Sequence, residues 1–65
     1  MKIKELTNAP DWLLKAVVEN EDVEIDANGR VQWNSGSWLR GNFLGGNFWG
    51  GNFWGGDFRG GNFLG

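Results

Sequence analysis

A chain of 65 residues with neither cysteine nor histidine has no disulfide staple, no thiolate metal site and none of the usual general base. Its size allows one domain with a marginal core. Its net charge of −2 is split unevenly: residues 1–30 set Lys2, Lys4, Lys15 and Arg30 against seven acids, whereas residues 31–65 set Arg40 and Arg59 against Asp57 alone. That balance excludes the broad basic patch of a duplex nucleic-acid binder and leaves the second half close to neutral. Met1-Lys-Ile-Lys-Glu5 lacks a signal-peptide h-region and no apolar run reaches spanning length, so the expected location is the cytoplasm.

Residues 1–30 read as a capping segment. Asn8 followed by Ala9, Pro10 and Asp11 has the form of an N-cap with proline in the first turn and an acid at the third position, which predicts a helix. Trp12, Leu13, Ala16 and Val17 share one face of it, widened by Leu14 and Val18, and Asn20-Glu21-Asp22 stops it. Val23-Glu-Ile-Asp26 and Arg30-Val-Gln-Trp33 then alternate around Ala27-Asn28-Gly29, a hairpin signal with Asn-Gly at the turn. The acids Glu19, Glu21, Asp22, Glu24 and Asp26 read first as solvating a helix end and a hairpin edge, and they are the one acidic surface on which a partner could dock.

Residues 31–65 are a different kind of sequence. Gly41-Asn-Phe-Leu-Gly45, Gly46-Asn-Phe-Trp-Gly50, Gly51-Asn-Phe-Trp-Gly55, Gly56-Asp-Phe-Arg-Gly60 and Gly61-Asn-Phe-Leu-Gly65 repeat every five residues with Phe at the centre. Running the register backwards adds Gly36-Ser-Trp-Leu-Arg40 and Val31-Gln-Trp-Asn-Ser35. A period of five fits neither the 3.6 of a helix nor the alternation of a flat strand, but it lines the inside of a chain that turns a corner once per repeat. Glycine at the corners supplies the backbone conformations such turns need.

These blocks resemble the pentapeptide-repeat proteins, whose unit is a small residue, Asn or Asp, a central Leu or Phe, and two variable positions. The resemblance implies a mostly β fold: a right-handed quadrilateral β-helix, one pentad per side and four per coil, here capped at its N-terminus by the helix and hairpin to make one folding unit. Gly in place of Ala at the small inward position is a departure expected to loosen the corner. Four pentads per coil would set Trp33 under Phe53, Trp38 under Phe58 and Phe43 under Phe63, with Phe48 on a side of one rung, so the expected core ladder is Trp33, Trp38, Phe43, Phe48, Phe53, Phe58 and Phe63. The residues before the centre, Asn42, Asn47, Asn52, Asp57 and Asn62, are expected to bond nearby backbone at turns.

The residues after the centre point outward, and Leu39, Leu44, Trp49, Trp54 and Leu64 would form an apolar ridge of the kind that marks an interface. Catalysis has little to work with. Asp57 is the only acid in the repeats and reads with Arg59 as a solvated ion pair, no Gly-x4-Gly-Lys phosphate loop is present, and two arginines make a poor platform for single strands. No catalytic, cofactor or metal residue is assigned. Some pentapeptide-repeat proteins mimic duplex DNA to occupy topoisomerases, and the charge of residues 31–65 disfavours that use of the repeats here. The expected function is a non-enzymatic binding and assembly protein that forms a homo-oligomer through its C-terminal coil, or is the N-terminal piece of a longer repeat chain. The rival reading is a small phage-encoded inhibitor docking on a host nucleic-acid-processing or defence enzyme.

Overall fold

Extended backbone begins earlier than the helical pattern suggests. In the computed structural model, which describes residues 1–64, a 3-10 turn at Ile3–Glu5 and one helical turn, α1 (Asp11–Leu14), lead into two long strands, β1 (Val17–Ile25) and β2 (Val31–Arg40). Five two-residue strands follow: β3 (Asn42–Phe43), β4 (Asn47–Phe48), β5 (Asn52–Phe53), β6 (Asp57–Phe58) and β7 (Asn62–Phe63). This is a small, mostly β domain. Gly65, the last residue of the fifth block, lies outside the described residues.

The helix expected from Asn8 to Asn20 is therefore one turn long, and Pro10 rather than Asn8 precedes it. Val17 and Val18 leave it because they pair with Arg40 and Trp38 of β2. β-Branched side chains are stiff in a helix and fit a pleated surface. The expected hairpin is present and longer than its alternating core, with Val23 opposite Trp33 and Ile25 opposite Val31. Its loop has Gly29 at φ +81°, and Asp26 N–H donates to the Arg30 carbonyl at 2.9 Å, the geometry of a three-residue hairpin loop.

Asn20 does not end a helix; it sits in a bulge of β1 at φ +55°. Glu19 pairs with Ser37 and Asp22 with Ser35, so Asn20 and Glu21 together face Gly36. A Cβ at Gly36 would lie 2.6 Å from Glu21 Cα and 2.7 Å from the Asn20 carbonyl. Only glycine admits that approach.

In the repeat half the ladders are parallel and join residues fifteen apart. Trp33 pairs with Phe48, Trp38 with Phe53, Phe43 with Phe58 and Phe48 with Phe63. Four pentads per coil would have joined residues twenty apart, so the quadrilateral stacking is corrected to three pentads per return. Gly51 explains part of the spacing. It has φ +99°, and a Cβ there would overlap the Gly36 carbonyl fifteen residues earlier. Glycine thus does not loosen the corner: it lets one strand's backbone rest on the next.

Ring stacking follows the same register. Phe43 and Phe58 lie 4.9 Å apart with planes 7° from parallel, as do Phe48 and Phe63, while sequential rings such as Phe43 and Phe48 meet edge to face at 5.9 Å. Trp33, Trp38, Phe43 and Phe48 are fully buried. Ile3, Leu13 and Val23 from the first thirty residues and Val31 from the first pentad join them in one cluster, and Trp12 sets its ring edge-on to Phe43 at 5.1 Å. The aromatic core is therefore densest beside the cap.

Candidate functional site

Away from the cap the core opens. Phe53 and Phe58 are half-buried, and Phe63, expected inside with the other rings, is 47% exposed. The reason is positional: Phe63 stacks on Phe48 but has no ring above it among the described residues. These three phenyl rings meet edge to face, with centroids 5.9 Å (Phe53–Phe58), 6.0 Å (Phe53–Phe63) and 5.3 Å (Phe58–Phe63) apart. They form a cluster at the C-terminal end that the ladder below holds in place.

The backbone around that cluster is directed the same way. The carbonyls of Trp33, Trp38, Phe43 and Phe48 accept N–H bonds at 2.8 Å from Trp49, Trp54, Arg59 and Leu64 respectively. The central residue of each pentad thus turns its carbonyl toward the layer above. Phe53, Phe58 and Phe63 carry that orientation to the end, where no described residue lies above them. Such edges are templates for further pairing.

The outer residues are distributed differently from the single ridge expected. Extending the ladders by one residue sets Leu39 beneath Trp54, Leu44 beneath Arg59, and Trp49 between Asn34 and Leu64, so the ridge divides among three sides. Leu39 is half-buried, while Leu44, Trp49, Trp54 and Leu64 are exposed, Trp54 most of all at 70%. Trp54 and Leu64 border the open end. Trp49 has a structural task, since its Nε1–H donates to Gln32 Oε1 at 2.7 Å.

Gln32 belongs to a polar column that the sequence reading missed. Gln32 Nε2 donates to Asp26 Oδ2 (3.0 Å), Asn47 Nδ2 to Gln32 Oε1 (3.0 Å), and Asn62 Nδ2 to Asn47 Oδ1 (2.9 Å). Asn47 and Asn62 therefore bond side chains fifteen residues earlier rather than nearby backbone. A carboxylate only accepts, so Asp26 sets the direction of every amide in the column and leaves Asn62 Oδ1 directed at the open end. The fifteen-residue spacing of Gln32, Asn47 and Asn62 was the available signal, legible only once three pentads per return is known.

The acidic surface is largely engaged. Asp26 Oδ1 accepts from the Asn28 and Arg30 N–H groups at 2.9 Å. Those bonds, the Arg30 one foremost, hold its carboxyl below the ordinary aspartate range. Glu21 accepts from Ile3 N–H at 3.0 Å and faces Lys2, and Asp22 pairs with the Met1 amine, which raises that amine above its ordinary value. Glu19 and Glu24 are exposed. At the open end the charges are Asp57 and Arg59, 3.4 Å apart and both more than half exposed. Among the described residues there is no group of three or more His, Cys, Asp or Glu that could hold a metal, and no helix long and apolar enough to cross a membrane.

No family model, curated protein or solved structure matches this chain.

Proposed function

We propose that this chain is a non-enzymatic assembly protein. Residues 31–65 act as a short three-sided β-coil of pentapeptide units, residues 1–30 cap one end of it, and the other end joins a second copy. The observation that carries the reading is the loss of burial along one continuous ring stack, in which Phe48 is 0% exposed and Phe63 47% exposed. Beside it lies an edge of backbone groups directed at nothing described. An apolar cluster framed by unused strand edges gains from pairing both with one more layer. Among the described residues Asp57 offsets Arg59 at this end, so it suits a protein surface better than a polyanion.

Light scattering on the 65-residue chain at micromolar to millimolar concentration tests this. A dimer or larger species is expected, and Phe63→Ala should shift it toward monomer while leaving the cap-proximal core folded. A monodisperse monomer at millimolar concentration would refute self-association.

A further inference from the structure

We propose that two copies meet by their like C-terminal ends, strand against antiparallel strand, about a twofold axis beside Phe58. This rests on the assembly reading above and gives it a geometry.

The other end of the molecule is closed. A head-to-tail stack would seat Phe53, Phe58 and Phe63 on Trp33, Trp38 and Phe43 of the next chain, and those rings have no exposed surface. β1 already pairs with the outer edge of β2, and Trp12 covers Trp38 and Phe43. The far edge of β1 is engaged at its middle, where Val23 N–H donates to the Met1 carbonyl and the Glu21 carboxylate accepts from Ile3 N–H, and it is interrupted by the bulge at Asn20. The like end is the surface left that offers rings to rings and open strands to open strands, which makes the contact isologous and self-limiting.

The climb of the chain selects the axis. Three pentads rise one layer of about 4.8 Å, so Phe53, Phe58 and Phe63 end at heights one-third of a layer apart. A twofold axis across the Phe58 side sets Phe63, the highest, against the partner's Phe53, the lowest, and Phe58 against the partner's Phe58. All three sides then close by the same amount. An axis across either other side leaves the sides unequal by a full layer.

The chemistry agrees at each position. N–H and C=O of one strand residue point the same way, so Phe53, Phe58 and Phe63 turn both groups to the open end. In an antiparallel ladder two facing residues exchange both bonds, which Phe58 does with the partner's Phe58, and Phe53 with the partner's Phe63. Facing side chains share a face of the sheet. The rings therefore meet inside, while outside Asp57 faces the partner's Arg59 and Arg59 the partner's Asp57. Trp54, a donor, falls opposite the partner's Asn62, whose Oδ1 is the acceptor directed there by the polar column.

Charge swapping tests this register. Asp57→Lys gives an end with two cations and Arg59→Glu an end with two anions, and both sites are more than half exposed, so circular dichroism should show each variant folded. Each alone should dimerise roughly tenfold or more weakly than the unaltered chain, because two attractions become two repulsions. An equimolar mixture should recover a heterodimer, detected by native mass spectrometry, since every facing pair is again opposite in charge. If the unaltered chain dimerises but the single variants do so equally well, or the mixture gives no recovery, the like-end register is overturned and assembly still stands. A monomeric unaltered chain overturns both.

Discussion

Trp33 and Trp38 lie side by side in the first aromatic layer, edge to face at 5.3 Å, and differ in one polar detail. Trp38 Nε1 donates to the Gly41 carbonyl at 3.3 Å, whereas the buried Trp33 Nε1 has no partner among the described residues. Replacing either by Phe removes the same volume, so the cavity contributions nearly cancel in a comparison. Trp38→Phe additionally loses a hydrogen bond, and Trp33→Phe relieves an unsatisfied donor. Urea denaturation should find Trp38→Phe the more destabilising by about 2 kcal/mol. Burial grades the phenylalanines in the same way: Phe48→Ala should cost about 3 to 5 kcal/mol, and Phe63→Ala much less in dilute solution, because half of its ring is already in water.

At the scale of elements, stacking and ladder register are one fact seen twice. A double-mutant cycle separates three pentads per return from four. Phe43→Leu with Phe58→Leu should show a coupling of about 0.5 to 1.5 kcal/mol, since these rings stack at 4.9 Å. Phe43→Leu with Phe63→Leu, twenty residues apart, should be additive. The hairpin adds a pH-dependent element. Asp26 is held below the ordinary aspartate range by N–H bonds from Arg30 and Asn28 and by the Gln32 amide. A depressed carboxyl stabilises the fold fully above its unfolded value and ceases to do so as pH falls through the folded value. Thermal melts should therefore show stability dropping below about pH 4, and Asp26→Asn should lower Tm at neutral pH while flattening that acid limb.

For the whole molecule, the proposed assembly makes cap and open end complementary halves of one solution. A stack of small layers gains from a neighbour on each side, and β1 with α1 supplies that neighbour to the first layer alone. If a second copy supplies it to the last, native association couples to folding by mass action, and Tm should rise with protein concentration. Differential scanning calorimetry over a hundredfold range checks this; Phe63→Ala should abolish the dependence, and a Tm that stays constant for the unaltered chain would count against assembly.

The sequence by itself determined the local chemistry: where glycine must turn the chain, that the central aromatics from Trp33 to Phe63 stack on one another, and that Asn28-Gly29 closes a hairpin. These follow from short-range sterics and from a period that any reader can count. That full burial stops at Phe48 and leaves Phe63 exposed was not in the sequence. The number of sides was not legible, because a pentad specifies a corner and near-identical pentads look alike whether three or four complete a turn. That choice depends on which backbones rest on one another, as Gly51 rests on Gly36, and on rings stacking across fifteen residues. The helix of α1 failed for the same reason, since Val17 and Val18 obey a partner strand distant in sequence rather than their helical neighbours. The polar column from Asp26 through Gln32 and Asn47 to Asn62 is tertiary throughout: Asn47 and Asn62 were readable as turn residues and Gln32 as a strand residue, and only the register joined them and gave the open end its direction.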